Sequence, residues 1–163
     1  MLDLETLGNK PGSVIVAIGA VKFGNGEILD GFYERVDAQS CIDIGLRMDV
    51  STVMWWMLQN DAARKEITQP GEQILAVLCR YSAWAADIDA EVWGNGASFD
   101  NVLLSDAYDR ANLVRPWEYY NDRCYRTVKN LHPEVPMVRA GTHHNALDDA
   151  KSQAIHLMAM VKM

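Results

Sequence analysis

Three short stretches of this chain bring together residues able to do chemistry. The first is Asp3-Leu4-Glu5. On a strand, positions i and i+2 point to the same face. Two carboxylates side by side repel each other unless a cation or solvent lies between them, and at a strand end they make a seat for a hard cation such as Mg²⁺. Taken alone, the pair is more simply read as a solvated strand end. A second pair of this kind, Asp89-Ala90-Glu91, lies in a polar stretch after a helical pattern and reads as surface. The second stretch is Phe99-Asp100, following Trp93-Gly94-Asn95-Gly96. Asp100 falls in the first turn of the next helix, where a carboxylate also simply favours the helix dipole. The third is Thr142-His143-His144-Asn145-Ala146-Leu147-Asp148-Asp149-Ala150. Asn145 can cap a helix whose first turns carry both aspartates, with the histidines in the loop before it. A histidine beside a metal-bound water can act as a general base, because its ordinary pKa is near neutrality.

The order and spacing of these stretches say more than any one of them. Together they resemble the DEDDh 3′–5′ exonucleases, the RNase T-like and proofreading branch of the RNase H-like fold. Asp3-Leu4-Glu5-Thr6 is similar to that family's Asp-x-Glu-Thr block, Asn95 to Asp100 to its Phe-Asp block, and His144 to Ala150 to its His-x-Ala-x-x-Asp-Ala block. The pairs His143/Asp148 and His144/Asp149 have the same separation. Ala146 and Ala150 fit the pattern only for His144 and Asp149, which are therefore assigned, with His143 and Asp148 read as supporting or solvent-facing. Gly8-Asn9-Lys10-Pro11-Gly12 after the first block resembles the compact bacterial and phage members, some labelled exodeoxyribonucleases and others exoribonucleases. One departure stands out: only Met1 and Leu2 precede the first Asp, where the family has several apolar residues.

The resemblance implies a metal-dependent 3′–5′ exonuclease that releases nucleoside 5′-monophosphates from single-stranded DNA or RNA. Asp3, Glu5, Asp100 and Asp149 would hold two divalent cations, Mg²⁺ or Mn²⁺. His144 would be the general base, with Glu5 also near the terminal 3′-OH. Thr6, Leu7, Phe99, Trp55 and Trp56 would meet the substrate. Adjacent helical residues point about 100° apart, so Trp55 and Trp56 cannot share one face, and one of them is expected to stack on a base. A homodimer is expected from the family. The competing readings are a catalytically weak nucleic-acid-binding module on the same fold and a phosphohydrolase of small nucleotides.

The elements that must position these residues form an α/β pattern. Met1 to Glu5 reads as the end of a strand. Ser13 to Phe23 is rich in Val and Ile and reads as a second, and Glu27 to Arg35 as its return across an Asn25-Gly26 turn. This gives a three-strand antiparallel meander. Helices are expected over Thr52–Leu58 (N-cap Ser51), Asn60–Ile67, Glu72–Ala86, Ser98–Asn112 (N-cap Ser98), Arg123–Leu131 and Asn145–Val161. Short strands are expected over Glu91–Asn95 and within Val114–Asn121. The expected architecture is an RNase H-like mixed sheet, meander plus parallel strands, flanked by helices, in one domain over residues 1–163. Sites in such sheets gather at the carboxyl ends of strands.

Composition narrows the partners. The 163 residues carry 15 Lys+Arg against 22 Asp+Glu, a net charge of −7. That excludes a basic coat over nucleic acid, though not an enzyme whose bound cations offset its carboxylates. Cys41, Cys79 and Cys124 are odd in number and far apart, which argues against a disulfide framework and a cysteine zinc site. No leader pattern or bilayer-spanning run is seen, so a reduced, cytoplasmic setting away from membranes is expected.

Overall fold

The computed structural model describes residues 1–86, 91–96, 98–139, 141 and 144–161. Strands β1 (Leu2–Thr6), β2 (Ile15–Gly24) and β3 (Glu27–Arg35) form the expected meander. Asn25 and Gly26 join β2 to β3 with φ of 53° and 82°, the two positive values a type I′ hairpin requires. Two three-residue strands, β4 (Val92–Gly94) and β5 (Asp122–Cys124), add to β1 in parallel. The sheet order is β3-β2-β1-β4-β5, a mixed RNase H-like sheet flanked by helices.

Among the described residues, seven helices accompany the sheet: α1 (Ala38–Asp43), α2 (Val50–Met57), α3 (Asp61–Thr68), α4 (Ile74–Ala85), α5 (Asp100–Arg110), α6 (Tyr125–Leu131) and α7 (Ala146–Val161). The alternation of side chains along β1 and β2 sorts them to the two faces. Leu2, Leu4, Ile18 and Ala20 join a core with Ile74, Leu78, Leu103, Leu104 and Tyr108 from α4 and α5. Val21 and Met1 pack with Ala150, Ala154 and Leu157 of α7. Asp3 and Glu5 alternate with Leu2 and Leu4, and so project toward α7.

Several local expectations shift. Helix α2 is capped by Asp49, whose side chain accepts from the Ser51 N–H at 2.8 Å, and not by Ser51. Helix α5 begins at Asp100, and no side chain caps it; Ser98 lies just outside. The strand expected within Val114–Asn121 falls instead at Asp122–Cys124, after a 3₁₀ turn at Tyr119–Asn121. Helix α1 is additional. Among the described residues no helix is long and apolar enough to cross a membrane.

Candidate active site

The carboxyl end of β1 is where the sheet opens. Strand β4 pairs with β1 only at Leu2–Gly94. Beyond that point the Asp100 carboxylate takes over the ladder, accepting from the Leu4 N–H (3.1 Å) and the Asn95 N–H (2.8 Å). Gly94 makes this possible: a Cβ there would collide with the side chains of Asn101 and Asp100. On the other side of β1, Asp3 lies opposite Gly19 and Glu5 opposite Ala17. A Cβ at Gly19 would run into the backbone of Ala146 and Leu147, so this glycine lets the first turn of α7 rest on the sheet.

That close approach delivers the third block to the first. Glu5, His144 and Asp149 each offer a ligand atom within 4.8 Å of the others. The His144 N–H donates to Asp149 Oδ2 at 2.8 Å, and Arg139 Nη1 donates to Asp149 Oδ1 at 2.6 Å. Gln153, one turn further along α7, donates to Asp3 Oδ1 at 2.7 Å. Asn145 ties the start of α7 to α3 through Glu66, which also pairs with Arg35 and accepts from the Tyr33 hydroxyl. His144 has a φ of 65°, a left-handed conformation that surrounding contacts must hold. Its ring stands edge-on to Trp55 and Trp56, at centroid separations of 5.4 and 5.5 Å.

These groups share a pocket of about 300 Å³. Asp3, Glu5, Thr6, Trp55, Trp56, Phe99, His144 and Asp149 all line it. Asp100 sits behind the lining, buried against β1 and β4. Leu7 packs against the core instead of the pocket. The two tryptophans separate as their 100° offset requires. Trp56 is 3% exposed and donates its indole N–H to the Thr6 carbonyl at 2.8 Å, whereas Trp55 is 45% exposed and can present a face to a ligand. His143, Thr142 and Asp89 lie outside the described residues. Glu91 pairs with Arg123 at 2.7 Å, a surface role.

The electrostatics are those of crowded anions. Burial, then the neighbouring Asp149, Asp100 and Glu66, push the Glu5 carboxyl up to about 8. Burial pushes Asp100 up to about 7, against the opposing pull of the N–H groups it accepts from. Burial and the charges of Asp100 and Glu5 hold Asp3 well above the usual carboxylate range, with the Gln153 hydrogen bond working the other way. Glu5 Oε1 is buried with no hydrogen-bond partner. An orphaned carboxylate oxygen beside other carboxylates costs free energy unless a cation occupies the gap. The carboxylate oxygens are hard donors, which suit Mg²⁺ or Mn²⁺, and the imidazole beside them is placed where it could accept a proton.

Sequence reasoning did not single out Gln153, Arg139 or Asn95, which fix Asp3, Asp149 and Asp100. Gly19 and Gly94 carried a readable signal, since a glycine inside a strand marks close backbone approach.

Comparison with known proteins agrees with this geometry. Residues 1–161 match the family model described as the 3′–5′ exoribonuclease Rv2179c-like domain. The chain is 26% identical over 174 aligned positions to the PolC-type DNA polymerase III of Listeria monocytogenes, covering 99% of this chain and 11% of the polymerase. The polymerase of Listeria welshimeri gives the same figures. It is also 26% identical over 155 positions to an exodeoxyribonuclease of Enterobacteria phage T4, covering 78% of this chain and 68% of that protein. The chain thus spans about a tenth of the polymerases it resembles. A match across nearly its whole length, with the acidic blocks of the sequence meeting in one pocket, places the chain in the Rv2179c-like 3′–5′ exoribonuclease domain family.

Proposed function

We propose that this protein is a metal-dependent exonuclease that hydrolyses the 3′-terminal phosphodiester of single-stranded DNA or RNA and releases nucleoside 5′-monophosphates. The observation that carries this reading is the buried, unpartnered Glu5 Oε1 in a pocket it shares with Asp3, His144 and Asp149. Asp3, Glu5 and Asp149 would hold two divalent cations from the lining, with Asp100 completing the set from behind. When bound, such cations lower the pKa of an attacking water and offset charge on the leaving oxygen.

The chain's own residues do the rest. His144 takes a proton from the water as its oxygen attacks phosphorus; the bond from phosphorus to the 3′ oxygen of the penultimate nucleotide breaks, and that oxygen takes a proton from solvent to leave a 3′-OH. The hydrogen bond from the His144 N–H to Asp149, and the two indole rings, keep the imidazole aimed at the pocket. Trp55 offers a half-exposed ring to the terminal base, and Phe99 adds a second apolar surface. Thr6 shapes the floor: its hydroxyl donates to the Gly8 carbonyl at 2.6 Å. Arg139 donates to Asp149 Oδ1, holding that carboxylate in place and offsetting part of its charge.

A Mn²⁺ titration by calorimetry tests the metal assignment. Two sites per chain are expected for the wild type and fewer for Asp3→Ala and Asp149→Ala, with both variants folded by circular dichroism. Unaltered Mn²⁺ binding in the two variants would remove these residues from the site.

A further inference from the structure

Helix α6 carries Arg126 and Lys129 one turn apart, a spacing that places them on one helix face. Lys129 lines the same pocket as Asp3, Glu5, His144 and Asp149. Arg126 reaches over to Asn95, which also lines it, donating to the Asn95 carbonyl at 2.6 Å. No ion pair among the described residues involves either cation. Helix α6 itself has no acidic residue, and the nearest ones along the chain are engaged: Asp122 accepts from Asn101 and Trp117, and Glu134 pairs with His132. Arg126 hydrogen-bonds only the neutral Asn95 through Nε and Nη2, and its charge also acts on the buried Asp100 behind the pocket.

In a chain of net charge −7, two cations at the lip of a pocket of carboxylates, neither in an ion pair among the described residues, suit an anionic ligand. A second cationic hollow, around Lys10, Arg47 and Arg110, is interleaved with acid: Asp49 shares its lining, and Arg110 is paired with Asp106 at 2.6 Å.

We propose that Arg126 and Lys129 form a two-phosphate track that grips the backbone of the strand upstream of the bond being cut. This rests on the exonuclease reading and deepens it. The track engages phosphates and no base edge, so it is indifferent to sequence. Its shortness limits the grip to the last few nucleotides.

The test is the salt dependence of binding of a 5′-fluorescein, hydrolysis-resistant phosphorothioate ten-mer, read by anisotropy. Each neutralised phosphate of a single strand contributes a slope of roughly −0.7 in log K against log salt. Two contacts predict wild-type affinity falling about sevenfold between 50 and 200 mM salt, and about 2.6-fold for Lys129→Ala. Lys129→Ala is the cleaner variant, because Arg126 also braces Asn95; Arg126→Lys keeps the charge and is expected to keep the slope. Lys10→Ala is the control and is expected to match the wild type. Hydrolysis of the p-nitrophenyl ester of thymidine 5′-monophosphate, which has no upstream phosphate, is expected to fall less in Lys129→Ala than ten-mer binding does at 50 mM salt. A wild-type slope in Lys129→Ala, a lowered slope in Lys10→Ala, or an equal loss on the ester would overturn the track. A wild type that binds with the expected slope yet cleaves nothing would sink the exonuclease reading and leave the track standing.

Discussion

Replacing Gly19 with alanine adds a single methyl group at the point where the sheet and helix α7 meet. The new Cβ would fall well inside 3.0 Å of three backbone atoms, the carbonyl carbon and oxygen of Ala146 and the amide nitrogen of Leu147. Ordinary contact begins at 3.4 Å, and backbone cannot rotate aside as a side chain can. The first turn of α7 therefore has to retreat by an amount on the order of 1 Å, an overpacking that typically costs about 1–3 kcal/mol. For a chain of this size that corresponds to a melting temperature lower by about 3–10 °C. Activity is expected to fall further than stability. The displaced turn carries Asp149 and follows His144, and a misplacement of about 1 Å can cost roughly 100-fold in rate. The assay pairs a thermal melt with initial rates on a 5′-labelled single strand, at a temperature where circular dichroism shows the variant folded. Gly24→Ala, in the same strand with nothing within 4 Å of its Cβ, is the control and is expected to stay within about 0.5 kcal/mol. A Gly19→Ala protein that melts like the wild type and keeps its rate would refute the claim that this glycine seats α7.

The raised carboxyls predict a pH dependence for the metal-free protein. Glu5 and Asp100 bind protons more tightly folded than unfolded, so stability is highest below about pH 4 to 5 for these groups and is lost as pH rises toward 7 and 8. Melts in EDTA should therefore fall between pH 5 and pH 8.5, less so in Glu5→Gln, and added Mn²⁺ should raise the melting temperature more at pH 8.5 than at pH 5; the opposite order would contradict the anionic-crowding account. His144→Ala is expected to lose most of its hydrolytic rate while retaining Mn²⁺ binding by titration. If His143→Ala were the inactive variant and His144→Ala near normal, the assignment of the base would be wrong.

What the sequence made legible was local. The β2–β3 hairpin follows from Val/Ile patterning and from an Asn-Gly turn whose two residues tolerate positive φ. The long helix α7 follows from a cap and a periodic apolar face, and the acidic blocks were visible as spacing alone. What escaped depends on tertiary placement. Strand β5 is three residues of Asp122-Arg123-Cys124, recognisable only by its pairing with β4, while the more apolar Val114 that suggested a strand is 90% exposed. Helix α1 is short and buries only Ser40 and Cys41, too little to leave a periodic pattern. Ser51 and Asp49 are both good caps, and the carboxylate takes the position. The split roles of Trp55 and Trp56 were implied by helical geometry, but which one is buried is decided by the Thr6 carbonyl. The hold on Asp100 by the Leu4 and Asn95 N–H groups has no sequence signature, because every residue but proline carries that donor.

Hydrolysis of nucleic acid from its 3′ end is the activity proposed for the pocket of Asp3, Glu5, His144 and Asp149, backed by Asp100. Time-resolved digestion of matched single-stranded DNA and RNA, labelled at the 3′ or the 5′ end, tests it most directly with Mg²⁺, Mn²⁺ or EDTA present. Expected are a 5′-labelled ladder that shortens stepwise, immediate release of the 3′ label as a mononucleotide, no reaction in EDTA, and none for Asp149→Ala or Asp3→Ala. Internal cuts, release from the 5′ end, or undiminished digestion by either variant would contradict it.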